Sequence, residues 1–244
     1  MTVLVPLVHG LASRESVAAV RPITGADEMA LATGDAESVL GLLAAISTLD
    51  GVTVDAAALS DLTVGDRNAL LLGAVAASYV DRLSWLVDCP SCGEQLDVDV
   101  ELADLLDVVA AHPHDSVPRF RVPTVADLAA VAGLEPTTAR DALLERCVEG
   151  EVDDAAADRV EAAMAEADPL ADITVSLSCA ACGACTSADV DPLSELLARV
   201  TSRTALMEDV HALALAYGWT EPDVLALPRP RRHDYLVLVA DLAS

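Results

Sequence analysis

Lysine is absent from this chain of 244 residues. Its 14 basic residues are all arginine and face 40 aspartates and glutamates, a formal net charge of −26. Binding a phosphate backbone requires a basic face, so this balance argues against nucleic acid as a partner. The one concentrated basic patch is Arg229, Arg231 and Arg232, whose plain reading is a surface cluster near a helix end. Aromatic residues are also scarce, with two Trp, three Tyr and one Phe, which leaves little for a base-stacking platform. Long apolar runs are missing: the longest, Ala69 to Ala77, contains Gly73 and is too short to cross a bilayer. No membrane insertion is expected. The catalytic motifs G-x-S-x-G, P-loop, G-x-G-x-x-G and H-E-x-x-H are missing as well. The carboxylate run from Glu149 to Asp154 reads as a solvated face, and the chain is expected not to be an enzyme.

What the chain does contain is two matching cysteine knuckles, Cys89-Pro90-Ser91-Cys92-Gly93 and Cys179-Ala180-Ala181-Cys182-Gly183. Each follows a short alternating apolar stretch. Glycine after the second cysteine allows a positive φ, so the thiolates of each knuckle can converge on one ion. Cys89, Cys92, Cys179 and Cys182 are therefore the predicted ligands of a closed, structural Zn²⁺ site. A closed tetrahedron keeps no open position for chemistry, which points to a scaffold or binding protein. The long separation of the knuckles requires a subdomain inserted between them. The rival is a C-x-x-C redox pair, whose first cysteine sits at a helix N-terminus. Here Cys92 is followed by Glu94-Gln95-Leu96-Asp97-Val98-Asp99-Val100, which alternates like a strand.

Two cysteines remain. Cys185 stands where the first knuckle has Gln95 and competes as a ligand, while Cys147 sits on an apolar helical stripe and reads as a small buried hydrophobe. The start of the chain does not read as a secretory leader, so six cysteines predict a reducing, cytoplasmic setting. His112 and His114 flank Pro113 and are expected in a loop, with no ligand partner at suitable spacing.

Element signals divide the chain into an irregular or weakly extended N-terminal arm (1–21), an N-terminal helical region (22–84), a split zinc-ribbon-like module (85–103 and 173–191), a helical insertion (104–172) and a C-terminal helical region (192–244). Thr24-x-x-Asp27, Thr124-x-x-Asp127 and Thr138-x-x-Asp141 have the form of capping boxes. Thr63 opens a long helix, and Arg119 to Val122 is expected as a strand. Asp191-Pro192 opens a helix that the apolar spacing carries through to Tyr217. Both knuckles lead into an acidic D-V-D step (97–99 and 189–191) and then a helix. The expected fold is mainly α with small β: a helical body stapled by two β-hairpins that carry the knuckles.

Several segments, taken in order, resemble the baseplate assembly family of contractile phage tails and related injection systems. These are Arg21-Pro22-Ile23-Thr24-Gly25-Ala26-Asp27-Glu28, Gly65-Asp66-Arg67-Asn68-Ala69-Leu70-Leu71-Leu72, the two knuckles, Asp168-Pro169-Leu170-Ala171-Asp172-Ile173, and Tyr217-Gly218-Trp219-Thr220-Glu221-Pro222-Asp223 with the Arg231-Arg232-His233-Asp234-Tyr235-Leu236 that follows. The resemblance implies a baseplate or hub protein, or a chaperone for its assembly, whose partners are other baseplate subunits and which belongs to a phage-like particle. It carries no catalytic residues. Trp219, Arg231, Arg232 and Tyr235 supply the side chains favoured at interface hot spots and are the predicted protein contact, although Trp219 and Tyr235 can equally pack the last helices together. The alternatives left standing are a zinc-ribbon adaptor or regulatory binding protein and a C-x-x-C redox protein.

Overall fold

The computed structural model describes residues 1–11, 15–31, 34–107, 118–150 and 153–242. Its first departure from expectation is at the N-terminus. The supposed arm holds strands β1 (Val3–Leu7) and β2 (Ser16–Val20), which pair antiparallel. Val5, Leu7, Ala18 and Val20 alternate inward and are buried, the period-2 pattern of a sheet with one wet face. Pro6 falls on an outward, edge position where a missing N–H is tolerated. Two helices follow, α1 (Gly25–Ala30) and α2 (Ala36–Ile46), and then β3 (Ser47–Leu49) and β4 (Val52–Thr53) complete a sheet of order β1-β2-β3-β4.

After the short α3 (Ala56–Leu59) comes α4 (Val64–Ser78), capped by the Thr63 hydroxyl. Leu70, Leu71, Leu72, Ala74 and Val75 on consecutive turns are all fully buried. A helix apolar on every side is a core helix, and β1, β2, α2 and the later helices surround it. Gly73 is what lets the sheet approach: a Cβ there would lie 2.4 Å from Val5 Cγ2.

Hairpin β5 (Arg82–Asp88) and β6 (Gln95–Glu101) leads to α5 (Leu102–Leu106), then to α6 (Val125–Val131), α7 (Pro136–Cys147) and α8 (Asp154–Ala167). Leu144 and Val148 at the end of α7 and Ala157 and Val160 on α8 form a small buried cluster. The expected strand at 119–122 is only an isolated bridge between Phe120 and Val148. The third expected capping box does not form: Glu135 is the N-cap of α7, Pro136 takes the first position, and Thr138 lies within the helix. His112 and His114 fall outside the described residues. A second hairpin, β7 (Ile173–Ser178) and β8 (Cys185–Val190), passes to α9 (Pro192–Leu197), with Asp191 as its N-cap.

The long helix expected from Asp191 to Tyr217 breaks after Leu197. Thr201 turns its backbone N–H and hydroxyl to Glu28 Oε1, 3.2 and 3.1 Å away, and Ser202 caps a new helix, α10 (Arg203–Tyr217). With α11 (Glu221–Leu225) and α12 (Arg229–Leu242) it builds a separate core of Leu206, Val210, Leu213, Val224 and Leu225. Arg232 on α12 joins that unit to the body through an ion pair with Glu28 on α1, both side chains fully enclosed. The guanidinium also donates to Leu227 O at 2.8 Å, and Tyr79 Oη donates to Glu28 at 3.1 Å.

One local device occurs twice. Arg21 grips the Asp27 carboxylate at 2.7 and 3.0 Å while Thr24 and Asp27 form a capping box, and its Nη2 reaches Ala45 O. Arg121, Thr124 and Asp127 repeat this, with Arg121 Nη2 on Arg146 O. Each box meets the start of another helix, Thr24 beside Pro228 and Thr124 beside Thr63. Both copies share the spacing R-x-x-T-x-x-D; the capping box is its local half, while the arginine also reaches a carbonyl 24 or 25 residues away, which needs the fold.

Two predictions follow from the packing and the clasp. Gly73→Ala should destabilise the fold by about 1–3 kcal/mol, since β1 backbone must shift. Gly41→Ala in α2, where a Cβ meets nothing within 4 Å, should be neutral or stabilising by up to about 1 kcal/mol; urea titration separates the two. The hydrogen bond from Arg121 holds the Asp127 carboxyl well below the usual carboxylate range, against an opposing push from burial. A depressed folded value means stability that is present above the ordinary pKa of 3.8 and lost as pH falls through the folded one. Burial raises Asp66 and Asp168 instead, an effect of opposite sign common to wild type and variant. Asp127→Asn should therefore flatten the acid limb below pH about 4 relative to wild type, read as melting temperature against pH.

Candidate metal centre

Each hairpin ends in the same turn. Gly93 N–H closes on Cys89 O and Cys89 N–H on Glu94 O, both at 2.8 Å; Gly183 and Cys179 repeat the pair at 2.8 and 2.9 Å. Gly93 and Gly183 take φ of 75° and 72°, values that a residue with a Cβ adopts reluctantly. The hairpins match further down: Ser84 Oγ donates to Asp99 Oδ1 at 2.5 Å, and Thr174 Oγ1 to Asp189 Oδ1 at 3.2 Å, both five residues before the first cysteine of their knuckle.

The tertiary fold brings the two turns face to face. Leu83, Val98, Ile173 and Val190 are buried at the hairpin bases, while Trp85 Nε1 donates to Glu195 Oε1 on α9 at 2.8 Å and braces the first hairpin against the helix that follows the second. As a result Cys89, Cys92, Cys179 and Cys182 place their sulfurs within 4.8 Å of one another, the one such group of His, Cys, Asp and Glu among the described residues. Cys89 Sγ lies 3.7 Å from Cys182 Sγ, and Cys92 Sγ 3.7 Å from Cys179 Sγ. A tetrahedral ion with bonds to sulfur of about 2.3 Å has S···S edges of about 3.8 Å. The four thiols therefore fit a zinc-sized ion.

Their electrostatics favour a cation as well. Backbone N–H groups of Ser91 and Cys92 pull the Cys89 thiol down to about 7. The Glu94 N–H pulls Cys92 the same way, but the neighbouring sulfurs, Cys182 first, push it up to about 12. Cys182 is raised too, although the Ala184 N–H draws it down. Four sulfurs this close cannot all become thiolates unaided, and a bound dication removes that opposition. Cys89 and Cys179 are buried and Cys92 and Cys182 exposed, so the outer edge of the group is open to water.

The other cysteines stay apart from this group. Cys185 is exposed and its sulfur lies 4.0 Å from Ser178 Oγ, across the strand pair where the first hairpin has Gln95 opposite Asp88. Cys147 is buried at the end of α7, as its apolar stripe implied. The contact residues divide. Arg231 is exposed, whereas Trp219 and Tyr235 are half-buried, with ring centroids 4.8 Å apart and Tyr217 5.0 Å from Trp219. Arg232 is corrected: it was expected at a contact surface and is instead 0% exposed, held inward by Glu28. Sequence reading also missed Asp66 and Asp168. Asp66 accepts from the N–H groups of Val8, His9 and Gly10 at 2.7, 3.0 and 2.6 Å, and Asp168 from Gly65 N–H at 2.9 Å. A Cβ on Gly65 would lie 1.9 Å from Asp168 Oδ1, so the segment entering the second hairpin is pinned to the head of α4.

No helix among the described residues is long and apolar enough to cross a membrane. A family model described as T4 bacteriophage base plate protein matches residues 7–198, well over half of the chain. No curated protein and no solved structure matches it.

Purified under reducing conditions, the protein should carry about one zinc per chain. Structural zinc in thiolate sites contributes on the order of 10 kcal/mol to folding, so a chelator should lower the melting temperature sharply. Cys147→Ser and Cys185→Ser should keep the metal, while Cys89→Ser or Cys179→Ser should lose it. Elemental analysis of the folded wild type and the four variants checks this, and a folded, metal-free wild type would contradict it.

Proposed function

The chain belongs to the T4 bacteriophage base plate protein family, and from that premise we propose that it is a non-enzymatic structural or assembly protein of the baseplate of a contractile tail or contractile injection system, stabilised by one structural zinc. Family membership carries the baseplate role. The convergence of four thiols within 4.8 Å on two matched hairpins supports the zinc. With all four tetrahedral positions taken by sulfur, such an ion holds two chain segments together and offers no site for substrate.

On this reading residues 85–103 and 173–191 form one split zinc-ribbon-like module, and 104–172 is an insertion that leans on the body. Among the described residues its own core cluster comprises four buried side chains, too few to fold alone. The partners are other baseplate or hub proteins, met in the cytoplasm where particles assemble, and the protein acts there as a chaperone-like factor or as a retained subunit. The contact surface includes Arg231, with Trp219 and Tyr235 stiffening the unit that presents it. The acidic residues around the knuckles, Glu94, Asp97, Asp99 and Asp189, disfavour a nucleic-acid adaptor.

Deleting the gene should stop the assembly of sheathed contractile particles. A plasmid copy carrying Cys185→Ser should restore them, and one carrying Cys89→Ser should not. Electron microscopy of particle preparations reads the outcome. Normal particles in the deletion strain would end the baseplate reading, whereas full rescue by Cys89→Ser would end only the zinc requirement.

A further inference from the structure

The unit of α10, α11 and α12 lies beyond the span matched by the family model, which ends at residue 198. It also differs from the body in charge. Residues 203–242 hold four arginines and six carboxylates, a net of −2 out of the chain's −26, so −24 lies elsewhere.

Successive residues of a helix are turned by about 100°, which sorts α12 into two faces. Arg232, Tyr235, Leu236 and Val239 face inward: the first is enclosed and the others pack on the unit's core. Arg231, Asp234, Val237, Leu238 and Asp241 fall on the opposite side and are exposed. Val237 and Leu238 are 44% and 51% exposed, two aliphatic side chains adjacent on an unpartnered face. Arg231, Asp234 and Asp241 enter no ion pair among the described residues.

We infer that the occupant of the contact surface assigned above to Arg231 is a second copy of the chain: this outer face of α12 pairs with the same face of that copy, the two helices running antiparallel about a two-fold axis. The charge order of the helix selects this occupant. Arg231 stands near the start and Asp241 near the end, about 15 Å apart along the axis, with Val237 and Leu238 between them. An antiparallel copy sets Arg231 of each chain against Asp241 of the other, and the symmetry forms both pairs at once. A parallel copy would set like charges together. The distribution of charge favours the same face, because two bodies at −24 repel and the near-neutral units are where they can approach.

The contact is one helix wide on each side, below the roughly 800 Å² per partner of a standard interface, so the dimer is weak and reversible. Its response to salt runs opposite to that of an ordinary ion-paired interface: screening relieves repulsion between the bodies more than it weakens two exposed ion pairs, and added salt tightens it.

Sedimentation equilibrium of the full chain over a range of concentrations, at low and high salt, tests the inference. Wild type should show a monomer–dimer equilibrium that tightens with salt. Arg231→Asp and Asp241→Arg should each weaken the dimer about tenfold, and the two together should restore it to within about threefold. Leu238→Glu should abolish it. All three positions are exposed, so unchanged far-ultraviolet dichroism and melting temperature confirm that the variants fold. Asp241→Arg lowers the net negative charge; a tighter dimer in that variant would mean that bulk repulsion alone governs association and would overturn the inference. It is equally overturned by a wild-type monomer under every condition, by a dimer indifferent to Leu238→Glu, or by a monomer that uses Leu238 to bind a different protein.

Discussion

A helix that is apolar on every side must be covered on every side, and α4 imposes that demand on the whole molecule. Leu70, Leu71, Leu72 and Val75 are fully buried, and burying side chains of this size stabilises by about 1.5–3 kcal/mol each. Covering them takes the N-terminal sheet on one flank and α2, α5 and α9 around the rest. Because α4 runs directly into the first hairpin and α9 leaves the second, packing these two helices together also brings the knuckles into register. The cysteine group is thus a consequence of how the core helix is enclosed.

Apolar packing alone would leave the approach angles loose, and buried carboxylates fix them. Asp66 receives three backbone N–H groups of the β1–β2 loop, Asp168 reaches the head of α4, and Glu28 receives Arg232, Tyr79 and Thr201. Each ties together segments distant in sequence, and each would be costly to leave unpartnered. In a chain so rich in aspartate and glutamate the informative carboxylates are these few that are buried. The exposed majority sets solubility and long-range repulsion.

Placed on the ends of two hairpins, four thiols can join segments of the protein that lie far apart in sequence. A family role in a baseplate suits such a construction, since a subunit of a large assembly must present fixed surfaces. The internal repetition of the Arg–Thr–Asp clasp and of the hairpin itself suits it too, because each copy sets a helix start against another helix. The C-terminal unit stands apart, with its own core, a nearly neutral surface and one enclosed ion pair to the body.

Much of this was legible in the residues themselves. The C-x-x-C-G knuckles announced two tight turns because glycine at a positive φ and paired thiols have few other uses together; the boxes at Thr24 and Thr124 announced helix starts because a threonine oxygen and an aspartate three residues on satisfy the free N–H groups there. The absence of lysine and of long apolar runs set an expectation about partners from composition alone. Local chemistry of this kind is carried by neighbours in sequence. What only tertiary structure decided depends on residues far apart. Val3–Leu7 is a strand because α4 needs a cover, the helix expected from Asp191 to Tyr217 breaks at Thr201 because Glu28 takes its N–H, and Arg232 is internal because that same carboxylate lies opposite. Each outcome turns on a partner between about 60 and 200 positions away, where no periodicity or spacing rule reaches.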